Sequence, residues 1–171
     1  GKRERYLNEE ELKRLGEAIA ETEAAGGNQK ATAIIRLLAL TGARKGEILQ
    51  LKWREVDFDR GFLRLLDSKT GPKAVPIGKS ALAILASQPR LAGSDYVFPA
   101  DKLGRKGMER AYFQGADWFW YEIRKKAKLE GVRLHDLRHT AASIAVADGA
   151  SLPIIGRILG HADTKTTQRY A

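Results

Sequence analysis

The chain is expected to fold as one α+β domain, mainly α-helical, with a small three-stranded antiparallel sheet. Two patterns predict this. Apolar residues recur at helical spacing through most of the sequence, as in Leu12, Leu15, Ile19 and Ala20, or Leu137, Ala141, Ile144 and Ala145. Between Glu55 and Ile77 the period drops to two, and glycine-bearing turns interrupt it. A length of 171 residues suits one domain with its own core, and 43% hydrophobic with 30% charged residues is a globular balance.

The elements follow in order. Asn8 and Glu11 make a capping-box pattern ahead of an amphipathic run, predicting a helix from about Glu9 to Ala24 that Gly26 and Gly27 stop. A second helix, from about Gln29 to Leu40, is apolar on most of its surface and therefore central to the core. Thr41-Gly42 ends it and delivers Arg44, after which Glu47, Ile48, Leu51 and Trp53 predict a short helix. The strands are expected at Val56 to Phe58, Phe62 to Leu66 and Ala74 to Ile77. The second hairpin turn, S-K-T-G-P, puts Lys69 at a tip where it can swing, and Lys73 rivals it for any role it has.

A helix from Ser80 to Ser87 and an extended piece from Asp95 to Pro99 come next, then a basic loop, Lys102 to Gly107, whose Arg105 and Lys106 suit a nucleic-acid backbone. A long helix is expected from Met108 to Leu129, carrying Trp118, Phe119, Trp120 and Tyr121. Another starts at Asp136 and closes at Gly149. Ser151 and Pro153 open a further one that Gly160 ends, and Asp163 or Thr164 caps a last short helix bearing Tyr170.

Thirty Lys and Arg against 21 Asp and Glu leave a formal charge of +9, which favours a polyanionic partner, chiefly nucleic acid. With no cysteine there is neither a disulfide framework nor a thiolate metal site. No apolar run approaches the roughly 20 residues that span a bilayer. The charged start, G-K-R-E-R, is unlike a secretory signal, so a cytoplasmic protein is expected.

The ionisable groups are concentrated late in the chain. His135, His139 and His161 all fall between Arg133 and Tyr170, together with Arg138. His135 and Arg138 are neighbours at i and i+3 on a helix start, where free N–H groups and the dipole favour an anion, and the pair suits a phosphate. A metal site is the main alternative from another class, since His135 and His139 are at i and i+4 and His161 could be a third ligand. Against it, Asp136 stands where H-E-x-x-H has its glutamate, and Arg138 would put a cation beside the metal.

The set H-D-L-R-H (His135 to His139), L-G-H (to His161) and R-Y (to Tyr170) resembles the catalytic domain of tyrosine recombinases, the phage integrase family. T-G-A-R-K-G-E (Thr41 to Glu47) is similar to the family's first arginine motif, and D-S-K-T-G (Asp67 to Gly71) to its lysine hairpin. The resemblance covers nearly the whole chain and implies the DNA breaking-rejoining enzyme fold. It implies site-specific recombination of double-stranded DNA through a 3′-phosphotyrosyl intermediate, with no metal and no cofactor.

It assigns Tyr170 as nucleophile, His135 as acceptor of its proton, Arg44, Arg138 and His161 as donors to the phosphate, and Lys69 as the acid for the 5′ oxygen. Glu47 would support Arg44, and His139 is expected to be a buried structural hydrogen-bond donor. Lys73, Arg105 and Lys106 are candidate DNA contacts. A type IB topoisomerase shares this chemistry. Family members add an N-terminal DNA-clamping domain and a docking segment after the tyrosine. Residues 1–171 are therefore expected to be the catalytic domain alone, monomeric by itself, from a bacterial, phage or prophage protein that forms a homotetramer on DNA.

Overall fold

The computed structural model describes residues 5–66, 68–101, 111–147 and 156–160. Helix α1 (Glu9–Ala24) starts with the expected capping box: the Asn8 side chain accepts from the Glu11 N–H at 2.8 Å, and Glu11 accepts from the Asn8 N–H at 3.1 Å. Helix α2 (Gln29–Thr41) is capped by Asn28, which accepts from the Ala31 N–H at 3.0 Å. Because α2 is apolar nearly all round, it becomes the axis of the domain, and α1, α3 (Lys45–Leu49), α4 (Lys79–Ala86), α5 (Ala116–Lys126) and α6 (Leu134–Ala147) all pack on it. Ile34, Ile35 and Leu37 are fully buried there, each contributing about 1.5–3 kcal/mol. No helix among the described residues is long and apolar enough to cross a membrane.

After α3, a 3₁₀ turn (Trp53–Glu55) leads into the sheet: β1 (Val56–Asp57), β2 (Phe62–Leu65) and β3 (Lys73–Pro76), antiparallel in that order. The register pairs Phe62 with Pro76 and Leu65 with Lys73. Strand β2 is thus one residue shorter than expected, because Leu66 has no partner and points to solvent. Strand β3 begins and ends one residue earlier than expected: Lys73 pairs with Leu65 at its start, and past Pro76 only a single bond among the described residues, from the Ile77 N–H to the Gly61 carbonyl at 2.9 Å, crosses to the neighbouring strand. Pro76, which lacks an N–H, is accommodated on the edge strand.

The expected helix from Met108 to Leu129 is corrected at both ends. Helix α5 starts at Ala116, because the preceding residues pair with another strand-like segment: Phe113 N–H donates to the Phe98 carbonyl at 2.8 Å, and Ala100 N–H to that of Ala111 at 3.1 Å. It ends at Lys126, where Lys128 adopts a left-handed φ of 57° and Leu129 N–H turns back to the Arg124 carbonyl at 2.9 Å. This is a Schellman closure with lysine where glycine is usual, and the Leu129 side chain is buried as the closure requires. Residues 102–110, with Arg105 and Lys106, lie outside the described residues.

The N-terminus of α6 is held by α5. Trp120 Nε1 and an Arg124 guanidinium nitrogen both donate to the Val132 carbonyl, at 2.9 and 3.0 Å. Asp136, almost fully buried, accepts from the Arg133 N–H at 2.8 Å and so caps the helix from its third position. The helix therefore begins at Leu134, two residues before the expected Asp136.

Candidate active site

Helix α2 delivers the first arginine through a tight junction with α6. Gly42 takes the left-handed conformation (φ 71°), and a Cβ there would also stand 3.3 Å from Ala141 of α6, so position 42 needs glycine on both counts. Its N–H donates to the Leu38 carbonyl at 3.1 Å, and its own carbonyl accepts from Arg138 Nε at 3.1 Å. One hydrogen bond thus ties the second arginine of the predicted set to a residue two positions before the first. Arg44 is the N-cap of α3, with its N–H donating to Glu47 at 2.9 Å.

Glu47 organises one side of the site. Its carboxylate, 9% exposed, lies 2.7 Å from Lys73 Nζ and 3.6 Å from the Arg44 guanidinium. Burial by itself would raise this carboxyl, but the Lys73 ammonium, the Arg44 N–H and the two positive charges outweigh it and hold Glu47 below the usual glutamate range. Lys73 is thereby committed as the clasp between β3 and α3. Lys69, in the turn between β2 and β3, is exposed and carries no such tie among the described ion pairs. With Arg44, Glu47, Lys52, Ser68 and Tyr96 it lines a concavity of about 370 Å³.

His135 and Arg138 open onto an adjacent cavity of about 400 Å³, which Lys45 and Arg133 also line. The two hollows flank the Ala43 to Gly46 segment, whose residues line both. Against four basic side chains the second hollow has one acidic residue, Asp117, and that one is paired with Lys45 at 2.8 Å. This is a setting for an anion. Partial desolvation of the otherwise exposed His135 ring, then the charges of His139, Arg138 and Arg133, push its pKa below the ordinary histidine value, with Asp136 opposing. An imidazole so placed stays neutral and can accept a proton.

His139, expected to be buried, is half-buried instead. It stands edge-on to His135 with ring centroids 4.6 Å apart, and Tyr6 stands edge-on to it at 6.3 Å. Its position on the α6 flank nearest the N-terminal segment leaves it at the surface seam, not in the core. His161 and Tyr170 lie outside the described residues.

Sequence reasoning passed over three residues that the fold brings into play. Lys45 and Arg133 line the cavity, and their adjacency to Arg44 and Leu134-His135 was the available signal. Arg36 is the third: an arginine inside an otherwise apolar run, A-I-I-R-L-L-A-L, is 3% exposed in the middle of α2.

The sequence matches the profile of the phage integrase family over residues 5–171. Tyrosine recombinase XerA of Pyrococcus furiosus is 30% identical over 169 residues, covering 96% of this chain and 56% of that protein. Tyrosine recombinase XerD of Pseudomonas putida is 30% identical over 176 residues, with the same coverage of 96% and 56%. The chain thus spans a little over half the length of these relatives. Among solved structures, XerA recombinase superposes with a TM-score of 0.65 at 30% identity, over 97% of this chain and 59% of the other. A lambda integrase dimer bound to a COC′ core site, at 20% identity and a TM-score of 0.59 over 97% of this chain and 47% of the other, shares the fold.

Proposed function

The chain belongs to the phage integrase family, and on that premise we propose that it is the catalytic domain of a site-specific tyrosine recombinase acting on double-stranded DNA. The observation that carries this reading is the junction at Gly42. Its carbonyl holds Arg138, it leads directly to Arg44, and His135 and Lys69 line the two hollows on either side. Two guanidinium groups suit the non-bridging oxygens of a phosphodiester, because each presents a fork of donors.

In the proposed reaction Tyr170 attacks the scissile phosphorus and passes its proton to His135, whose lowered pKa keeps it neutral and ready to accept. Charge that builds on the phosphate is met by Arg44, Arg138 and His161. The 5′ oxygen leaves with a proton from Lys69, at the exposed tip of the hairpin that Lys73 and Glu47 clasp to α3. The products are a 3′-phosphotyrosyl enzyme and a 5′-hydroxyl. Attack by the hydroxyl of another strand reverses the step and completes exchange with no net loss of phosphodiester bonds.

The reading extends to the whole protein as a homotetramer on its DNA site, with this domain monomeric alone, working in the cytoplasm of a bacterium or encoded by a phage or prophage resident there. The test is trapping on a nicked duplex that loses the short strand beyond the cut. The wild-type protein is expected to form a covalent adduct. Tyr170→Phe is expected to bind the same DNA within about twofold and form none, since only the nucleophilic oxygen is gone. An adduct that persists in Tyr170→Phe removes the assignment.

A further inference from the structure

Arg36 is the most deeply buried basic side chain among the described residues, and the proposed reaction leaves it without a task. It is surrounded on α2 by Ile34, Ile35, Leu37 and Leu38, all buried and apolar. A methionine of similar length would fill that space without the cost of removing a guanidinium from water. What the arginine adds is direction. Nη1 donates to the carbonyls of Leu159 at 2.8 Å and Gly160 at 3.0 Å, while Nε and Nη2 donate to the Glu23 carboxylate at 3.2 and 2.6 Å. Glu23 is on α1, so the group bridges three separate parts of the chain.

The two carbonyls are not arbitrary. Residues 156–159 are helical, and the last carbonyls of a helix have no partner within it; Arg36 takes two of them. The same segment is seated on two further sides. A Cβ at Gly16 of α1 would stand 2.5 Å from the Ile158 oxygen, so the backbones touch there, and Ser80 Oγ at the start of α4 donates to the Gly156 carbonyl at 3.4 Å. The Gly160 carbonyl belongs to the planar peptide unit that leads into His161.

We infer that Arg36, braced by Glu23, is a positioning residue that sets where the chain leaves the helical segment 156–160, and thereby where His161 is delivered to the scissile phosphate. The inference rests on the recombinase reading above for the role of His161. It does not rest on that reading for the placement itself.

The test is a double-mutant cycle in the whole protein, read as single-turnover adduct formation on the nicked duplex with DNA affinity measured in parallel. Arg36→Met is expected to slow adduct formation about tenfold while changing the DNA Kd by less than about twofold, and the Arg36→Met/His161→Ala pair is expected to be no slower than His161→Ala alone. Effects that multiply overturn the inference, because Arg36 then acts on the fold at large. Arg36→Lys and Glu23→Gln repeat the cycle with smaller perturbations should the methionine variant not fold.

The three histidines of residues 1–171, assigned in a labelled imidazole spectrum, supply a readout that a merely structural role would not move selectively. In Arg36→Lys the His161 resonances are expected to shift toward solvent-averaged values while those of His135 and His139 stay in place. All three moving together, or none, overturns the inference. A wild-type protein that forms no adduct sinks the recombinase reading instead, and the histidine spectrum then still decides what Arg36 holds.

Discussion

Removing the Glu47 carboxylate tests how the two lysines and the first arginine are held. The carboxylate accepts the Arg44 N–H at 2.9 Å, a capping bond worth about 1 kcal/mol. It also lies 2.7 Å from Lys73 and 3.6 Å from Arg44 while only 9% exposed. Breaking a fully buried pair costs about 3–5 kcal/mol, but these cations are 29% and 32% exposed and water recovers part of that, leaving about 2 kcal/mol. Glu47→Ala is thus expected to cost about 3 kcal/mol and Glu47→Gln, which keeps an acceptor for the N–H, about 2 kcal/mol. At about 2–4 °C per kcal/mol for a domain of this size, calorimetry at pH 7 should show Tm falling by about 6–12 °C and about 4–8 °C. The folded-state pKa of Glu47 is lowered, so its contribution is present above the ordinary value of 4.5 and is lost as pH falls through the folded value. The gap between wild type and Glu47→Gln should therefore close with acid. A glutamine variant that melts within about 1 °C of wild type at pH 7, or a gap that acid leaves unchanged, refutes the clasp.

Two further outcomes bear on the proposed chemistry. Lys69→Ala should cleave slowly on an ordinary phosphodiester and recover on a 5′-bridging phosphorothiolate, whose sulfur leaves without a proton; recovery of Lys73→Ala instead would move the acid to the residue now seen paired with Glu47. Because the folded-state pKa of His135 is lowered, its neutral, proton-accepting form persists as pH falls below 6.5, so the acid limb of the single-turnover rate should lie below that value. Replacing the His139 charge by His139→Gln should move the limb upward, and an unmoved limb would show that the neighbouring imidazole does not tune it.

The helices α1 and α2 and the sheet were legible in the sequence because their causes are local. Asn8 with Glu11 is a cap wherever it occurs, Gly42 permits a left-handed turn by itself, and a period of two between Glu55 and Ile77 admits only strands. The candidate set of Arg44, Lys69, His135 and Arg138 was legible for a different reason: motif order along the chain carries the family resemblance without any geometry.

What the tertiary structure decided were the choices that depend on distant partners. The aromatic run before α5 is compatible with helix from Met108, and only the pairing of residues 111–113 with Phe98–Ala100 holds residues 111–113 extended and starts the helix at Ala116. Lys69 and Lys73 are equivalent as letters four residues apart. The register that puts Lys73 opposite Leu65 also sets its ammonium against Glu47 and leaves Lys69 at the tip. Arg36 reads as a flaw in an apolar helix until the carbonyls of Leu159 and Gly160 are brought to it from the far end of the chain. A buried charge is tolerated only where its partners are, and partners more than a hundred residues away cannot be read from the residues beside it.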